Sequence, residues 1–144
     1  QTYIERYFTR YPGVAQYMEQ ARQQARDHGY VETAFGRRLW FADIRSSQQG
    51  RRQGAERAAI NAPMQGTAAD LIKMAMIAVQ AWLNKEQLAS RLVLQVHDEL
   101  ILEVPDVELS RVRLELPRLM IGVAKLSVPL VAEVGVGPNW EAAH

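Results

Sequence analysis

The chain has 144 residues, 48% of them hydrophobic and 23% charged, with no cysteine and a formal net charge of +1. That balance is enough for a folded domain with a core and excludes a wholly disordered segment. It also excludes a disulfide framework or a thiolate metal site, fits a reducing compartment, and leaves no apolar run long enough to span a membrane. The charge is unevenly spread: residues 1–57 are net +4 and residues 58–144 net −3. Residues 36–57 hold six arginines (Arg37, Arg38, Arg45, Arg51, Arg52 and Arg57), a block suited either to phosphates or to an ordinary solvated face.

In chain order, residues 3–10 read as the end of a helix, stopped before Tyr11-Pro12-Gly13 because the residue before proline avoids the helical region. Pro12 suits the first turn of a second helix, and Val14, Tyr17, Met18, Ala21 and Ala25 keep its 3.6-residue period up to Gly29. Tyr30–Thr33 and Arg38–Phe41 flank a turn containing Gly36, which predicts a short hairpin. Residues 44–50 read as a polar loop. A helix is expected from about residues 48–52 to Ala62, with a kink or break at Pro63 and Gly66, then a long helix from Thr67 to Lys85. That last helix is apolar nearly all round except for Lys73, Gln80 and Asn84, the pattern of a helix buried within something larger.

Arg91–His97 alternates, with Leu92, Leu94 and Val96 on one side and Val93, Gln95 and His97 on the other, and Leu100–Val104 comes next as its partner strand. Asp106 is placed to cap a helix over 107–121, with Leu109, Val112, Leu116 and Leu119 inward and Pro117 inside it. Val128–Val136 reads as a third strand, closed by Gly137-Pro138. The expected class is α+β: an antiparallel sheet made of the 91–104 hairpin and strand 128–136, backed by helices, with N-terminal helices and a small hairpin ahead of it.

Two constellations stand out. His97-Asp98-Glu99 falls at the hairpin turn, read as a two-residue connection containing Asp98 and Glu99. A plain polar hairpin tip would account for it. Against that, Asp-Glu is a poor pair for turns that want positive φ, and adjacent carboxylates repel unless a cation lies between them. A hard divalent cation such as Mg²⁺ takes one or two carboxylates and completes its shell with water and phosphate oxygens. The second constellation is Arg57, Asn61 and Gln65, spaced i, i+4, i+8 on one helix face. It is either a solvated face or a set of donors for minor-groove acceptors, which are nearly the same for every base pair.

The block Glu56–Asp70, together with Leu94-Gln95-Val96-His97-Asp98-Glu99-Leu100 further on, resembles the carboxy-terminal polymerase region of the bacterial family A DNA polymerases, the second block matching that family's motif C. Tyr7–Gly13, Gly29–Thr33, Gly36-Arg37-Arg38 and Gly137–Trp140 extend the similarity over essentially the whole chain. The resemblance implies a DNA-directed DNA polymerase using a pair of Mg²⁺ ions in a two-metal mechanism. It implies Asp98 as a metal ligand, Glu99 in a supporting catalytic role and His97 at the primer terminus. Arg57, Asn61 and Gln65 would be DNA-binding residues on the primer–template. It implies residues 1–50 as the end of the fingers subdomain and 51–144 as the C-terminal part of the palm. The implied partners are primer–template DNA, dNTP, and the remaining palm, fingers and thumb of a parent polymerase in the bacterial cytoplasm, with no membrane. The family's second metal-binding Asp, in an Asp-Tyr-Ser-like motif, and its nucleotide-binding fingers helix are not found in this sequence. The chain is therefore expected to be a C-terminal piece, inactive alone, with a non-catalytic DNA-binding module or a purely structural fragment as the alternatives.

Overall fold

A computed structural model describes residues 2–143. Two compact units divide between Thr67 and Ala68. The first contains α1 (Tyr3–Arg10), α2 (Pro12–His28), an antiparallel hairpin of β1 (Tyr30–Glu32) and β2 (Arg38–Trp40), and a 3₁₀ turn at Ala42–Arg45. It ends in the N-terminal part of α3 (Gln49–Lys85), whose C-terminal part belongs to the second unit. The second unit continues with β3 (Arg91–Val96), β4 (Glu99–Glu103), α4 (Asp106–Ile121) and a 3₁₀ turn at Glu141–Ala143.

Local chemistry explains most boundaries. Thr2 accepts the Glu5 N–H while the Glu5 carboxylate accepts the Thr2 N–H, a reciprocal cap on α1. Pro12 opens α2, and Gly29 ends it in the left-handed region at φ 81°, a conformation open to glycine at little cost. The hairpin turns its Val31 side inward. Val31, Ala25, Ile44 and Ala59 form one fully buried cluster with Leu39 and Phe41 packed against it. The second unit has its own core of Val79, Leu83, Val112 and Leu116, flanked by Leu100, Leu102 and Val104.

Four expectations change. Residues 42–45, partly read as loop, form a 3₁₀ turn with Ile44 buried. The helix does not break at Pro63: α3 is continuous over 37 residues. Proline removes one backbone donor and crowds the preceding turn, a cost of about 3 kcal/mol in an unsupported helix. Just beyond the proline the helix is tied to itself and to the β1–β2 hairpin. The Thr67 hydroxyl donates to the Pro63 carbonyl at 2.6 Å and accepts the Ala34 N–H at 2.9 Å, and Arg37 donates to the Gly66 carbonyl at 2.9 Å. Gly66 is the docking point of the hairpin, not a weak point. A Cβ there would lie 2.7 Å from the Thr33 methyl and 2.9 Å from a Leu39 methyl.

Asp106 is the first residue of α4 and makes no side-chain cap. The cap position is Pro105, and Asp106 instead places its charge in the first turn, where the helix dipole favours it. Residues 128–136 form no strand: the described residues hold two two-stranded sheets, not a three-stranded one. The alternation itself is real, since Leu130, Ala132 and Val134 are half-buried while Val131 and Glu133 are exposed. Periodicity reports which side faces a core, whereas a strand also needs a hydrogen-bonding neighbour, and Pro129 has no N–H to give one. The class remains α+β.

Candidate functional site

β3 and β4 pair antiparallel, with Val96 opposite Glu99, so the connecting residues are His97 and Asp98 and Glu99 is the first residue of β4. This moves the turn one residue back from the expected Asp98-Glu99. The objection that Asp-Glu suits positive φ badly disappears with it. The positive φ, 51°, falls on His97, a residue type comparatively often found there, and Asp98 stays on the negative side. That sign order is the one a type II′ turn uses, normally with glycine first. Gln95, which neither spacing nor composition singles out, donates from Nε2 to the His97 carbonyl at 2.5 Å and braces the strained turn.

The expected alternation along β3 also fails, for a physical reason. The register slips between Leu92 and Leu94, leaving Val93 as an extra residue. A bulge shifts the side-chain phase and re-aims the rest of its strand. Leu92 pairs with Leu102 on the core side, whereas Leu94 pairs with Ile101 and Val96 with Glu99 on the other. The turn therefore leaves the hairpin with its orientation set by a one-residue insertion that hydropathy does not display.

Asp98 is exposed, and its carboxylate has no hydrogen bond or ion pair among the described residues. It sits on the rim of an open pocket of about 150 Å³ whose other walls are apolar, among them Leu71, Ile72, Met120 and Leu130. Among the described residues no group of three or more His, Cys, Asp or Glu gathers closely enough to hold a metal. Asp98 with Glu99 could supply one or two carboxylate ligands, the number a phosphate-bridged Mg²⁺ takes from a protein.

In the first unit, Arg57, Asn61 and Gln65 are all exposed on the uninterrupted α3, and eight residues of helix separate the first from the last by about 12 Å. None of these three side chains is bonded to another side chain or to a carbonyl among the described residues. Their neighbours in the arginine block are spent on the fold. Arg45 donates to the Arg26 and Asp27 carbonyls at the end of α2, Arg52 to the Ser46 carbonyl, and Arg37 to the Gly66 carbonyl. Arg38 pairs with Glu32 and Arg51 with Asp43. Of the six, Arg57 alone is uncommitted among the described residues.

A sequence profile described as DNA polymerase family A matches residues 1–142. The chain belongs to DNA polymerase family A. Over all 144 residues it is 56% identical to the DNA polymerase I of Pseudomonas aeruginosa, covering 16% of that protein. It is 45% identical over 143 residues to the thermostable DNA polymerase I of Thermus aquaticus, covering 99% of this chain and 17% of the relative. The fold superposes with a TM-score of 0.93 and 44% identity on the POL domain of Pol1 from M. smegmatis, solved in complex with DNA primer-template and dNTP. That match covers 97% of this chain and 25% of the other. The chain thus spans about a sixth of the length of the curated family A relatives it matches. Among the described residues no helix is long and apolar enough to cross a membrane.

Proposed function

We propose that this chain carries part of the active centre of a DNA-directed DNA polymerase, a bacterial cytoplasmic enzyme that adds dNTPs to a primer 3′-hydroxyl. The observation that carries the proposal is the match of family and fold over nearly the whole chain, with the Asp98 carboxylate and the Arg57 ladder solvent-facing and unbonded among the described residues. Residues 1–50 belong on this reading to the fingers and 51–144 to the palm.

On this reading Asp98 ligates the catalytic Mg²⁺ pair, and Glu99, the first residue of β4, supports it. The chemistry such a pair supplies is activation of the 3′-hydroxyl and neutralisation of charge on the triphosphate. The protein's own part is positional. The bulge at Val93 and the Gln95 brace aim the turn, and His97 meets the primer-terminal nucleotide. Arg57, Asn61 and Gln65 bind the primer–template from its minor groove without reading sequence, because the acceptors there barely differ between base pairs. On this reading the isolated chain, whose sequence holds neither the family's Asp-Tyr-Ser-like motif nor its nucleotide-binding helix, does not extend primers.

The test is made in the polymerase that contains this sequence. Asp98→Ala should abolish incorporation and leave primer–template affinity nearly unchanged; retained turnover removes Asp98 from the metal site. Primer extension by the isolated chain at the rate of the whole enzyme would overturn the expectation that it is inactive. A structural-fragment reading has one observation behind it, the exposure of Ile77 (66%) and Val131 (78%). Self-association with no duplex affinity in light scattering and titration would favour it.

A further inference from the structure

The outer face of the β1–β2 hairpin carries an aromatic and cationic cluster that neither the Asp98 turn nor the Arg57 ladder uses. Tyr30 and Trp40 are cross-strand partners whose ring centroids lie 4.8 Å apart at 57°. Arg38, two residues from Trp40 and so on the same face, sets its guanidinium carbon 4.6 Å from the Tyr30 centroid. Glu32 holds that guanidinium from the side at 3.1 Å, and the His28 ring lies 5.8 Å from Tyr30. The core work of the hairpin is done by its other face, through Val31 and Leu39.

Cross-strand pairing stabilises a short hairpin, and that accounts for Tyr30 and Arg38. It does not account for an indole left 67% exposed. One side of Trp40 lies against Tyr30 and against Gly29, where a Cβ would sit 3.9 Å from the ring, so the ring is held in place while its outer face is open. A fixed, open π-face beside a guanidinium, on a segment whose residues 1–57 are net +4, suits a flat aromatic ring attached to an anion. An apolar peptide would want a groove, and the cluster is a platform. We propose that Trp40, buttressed by Tyr30 and Arg38, is a stacking site for an unpaired base of single-stranded DNA. Stacking on an aromatic side chain tolerates any base, so the site takes unpaired strand without sequence preference. The inference rests on the polymerase reading only for its choice of DNA.

Trp40 reports on its own occupancy. Trp82→Phe with Trp140→Phe leaves it as the sole tryptophan of the chain, to be titrated with a short oligothymidylate. If that pair of substitutions unfolds the chain, the same signal is read as the difference between the natural chain and Trp40→Phe. The expected result is saturable quenching. Trp40→Leu, which keeps an apolar contact over Gly29, should lose about tenfold in affinity for the oligonucleotide, and Trp40→Phe much less. Binding that leaves Trp40 emission unchanged, equal affinity in Trp40→Leu, or absence of oligonucleotide binding would each overturn the proposal. So would the same quenching by heparin, which has charge and no bases. Blunt duplex titrated against Arg57→Ala forms a separate arm, so failure of the ladder is distinguished from failure of the platform.

Discussion

The Glu108 carboxylate, near the start of α4, accepts both the backbone N–H (2.9 Å) and the hydroxyl of Ser90, across the loop that joins α3 to β3. The same carboxylate accepts the Ala89 N–H at 2.8 Å, so one side chain satisfies three donors at the end of the loop. The Ser90 hydroxyl first, then the backbone donors, hold its carboxyl below the ordinary range.

A lowered folded-state pKa fixes the sign of a pH effect. The stabilisation is fully present above the unfolded value, about 4.3 for a glutamate, and is lost as pH falls through the lower folded value. Glu108→Gln keeps the shape and removes the charge. It should lower the melting temperature at neutral pH, and the gap to the natural chain should close as the solution is acidified below about pH 4. A gap that is constant with pH would mean that the carboxylate acts through packing alone.

Two glycines of α3 are predicted to respond in opposite directions to the same substitution. Gly66→Ala drives a methyl into Thr33 and Leu39, which are 2.7 and 2.9 Å from the Cβ position, and should cost about 1–3 kcal/mol. At Gly54 a Cβ meets nothing within 4 Å, so Gly54→Ala should gain up to about 1 kcal/mol from helix propensity. Denaturant midpoints of the two variants decide it. Equal shifts would deny that Gly66 is the docking point of the hairpin.

The same pair shows what the sequence could and could not reveal. Helix ends at Arg10 and Gly29 and the position of the first hairpin were legible because proline, glycine and the 3.6-residue period act locally. Pro63 misled because its penalty is local, whereas the bonds that tie α3 down just beyond it, at Thr67 and Gly66, come from a hairpin some thirty residues earlier. The register slip at Val93 and the unpaired course of residues 128–136 depend on a partner strand, and hydropathy carries no information about partners. At the candidate site the sequence identified His97, Asp98 and Glu99 as a group. It misjudged which two of them turn the chain, since φ signs are set by pairing register.

Exposure without internal bonds makes the Arg57, Asn61 and Gln65 face cheap to test in the chain as it stands. Gln65→Ala and Asn61→Ala should barely change stability, being exposed and unbonded, and each should weaken duplex binding by about 1 kcal/mol. The loss should be the same for A·T-rich and G·C-rich duplexes, as minor-groove acceptors common to all pairs require. A loss confined to one composition would replace shape-checking by sequence readout.

His97 holds φ at 51°, where a side chain costs about 1–2 kcal/mol and glycine costs little. His97→Gly should therefore relieve the turn. Part of that gain is offset by the greater freedom of glycine in the unfolded chain, leaving about 0.5–1 kcal/mol of net stabilisation in a denaturant melt. If the imidazole is there to meet the primer terminus, the same substitution in the whole polymerase should slow extension while Asp98 stays in place. A more stable and less active variant is the signature of strain kept for function. A variant that gains stability and loses no activity would show that the turn tolerates histidine without using it, and the primer contact would then have to be sought among other residues of β3 and β4.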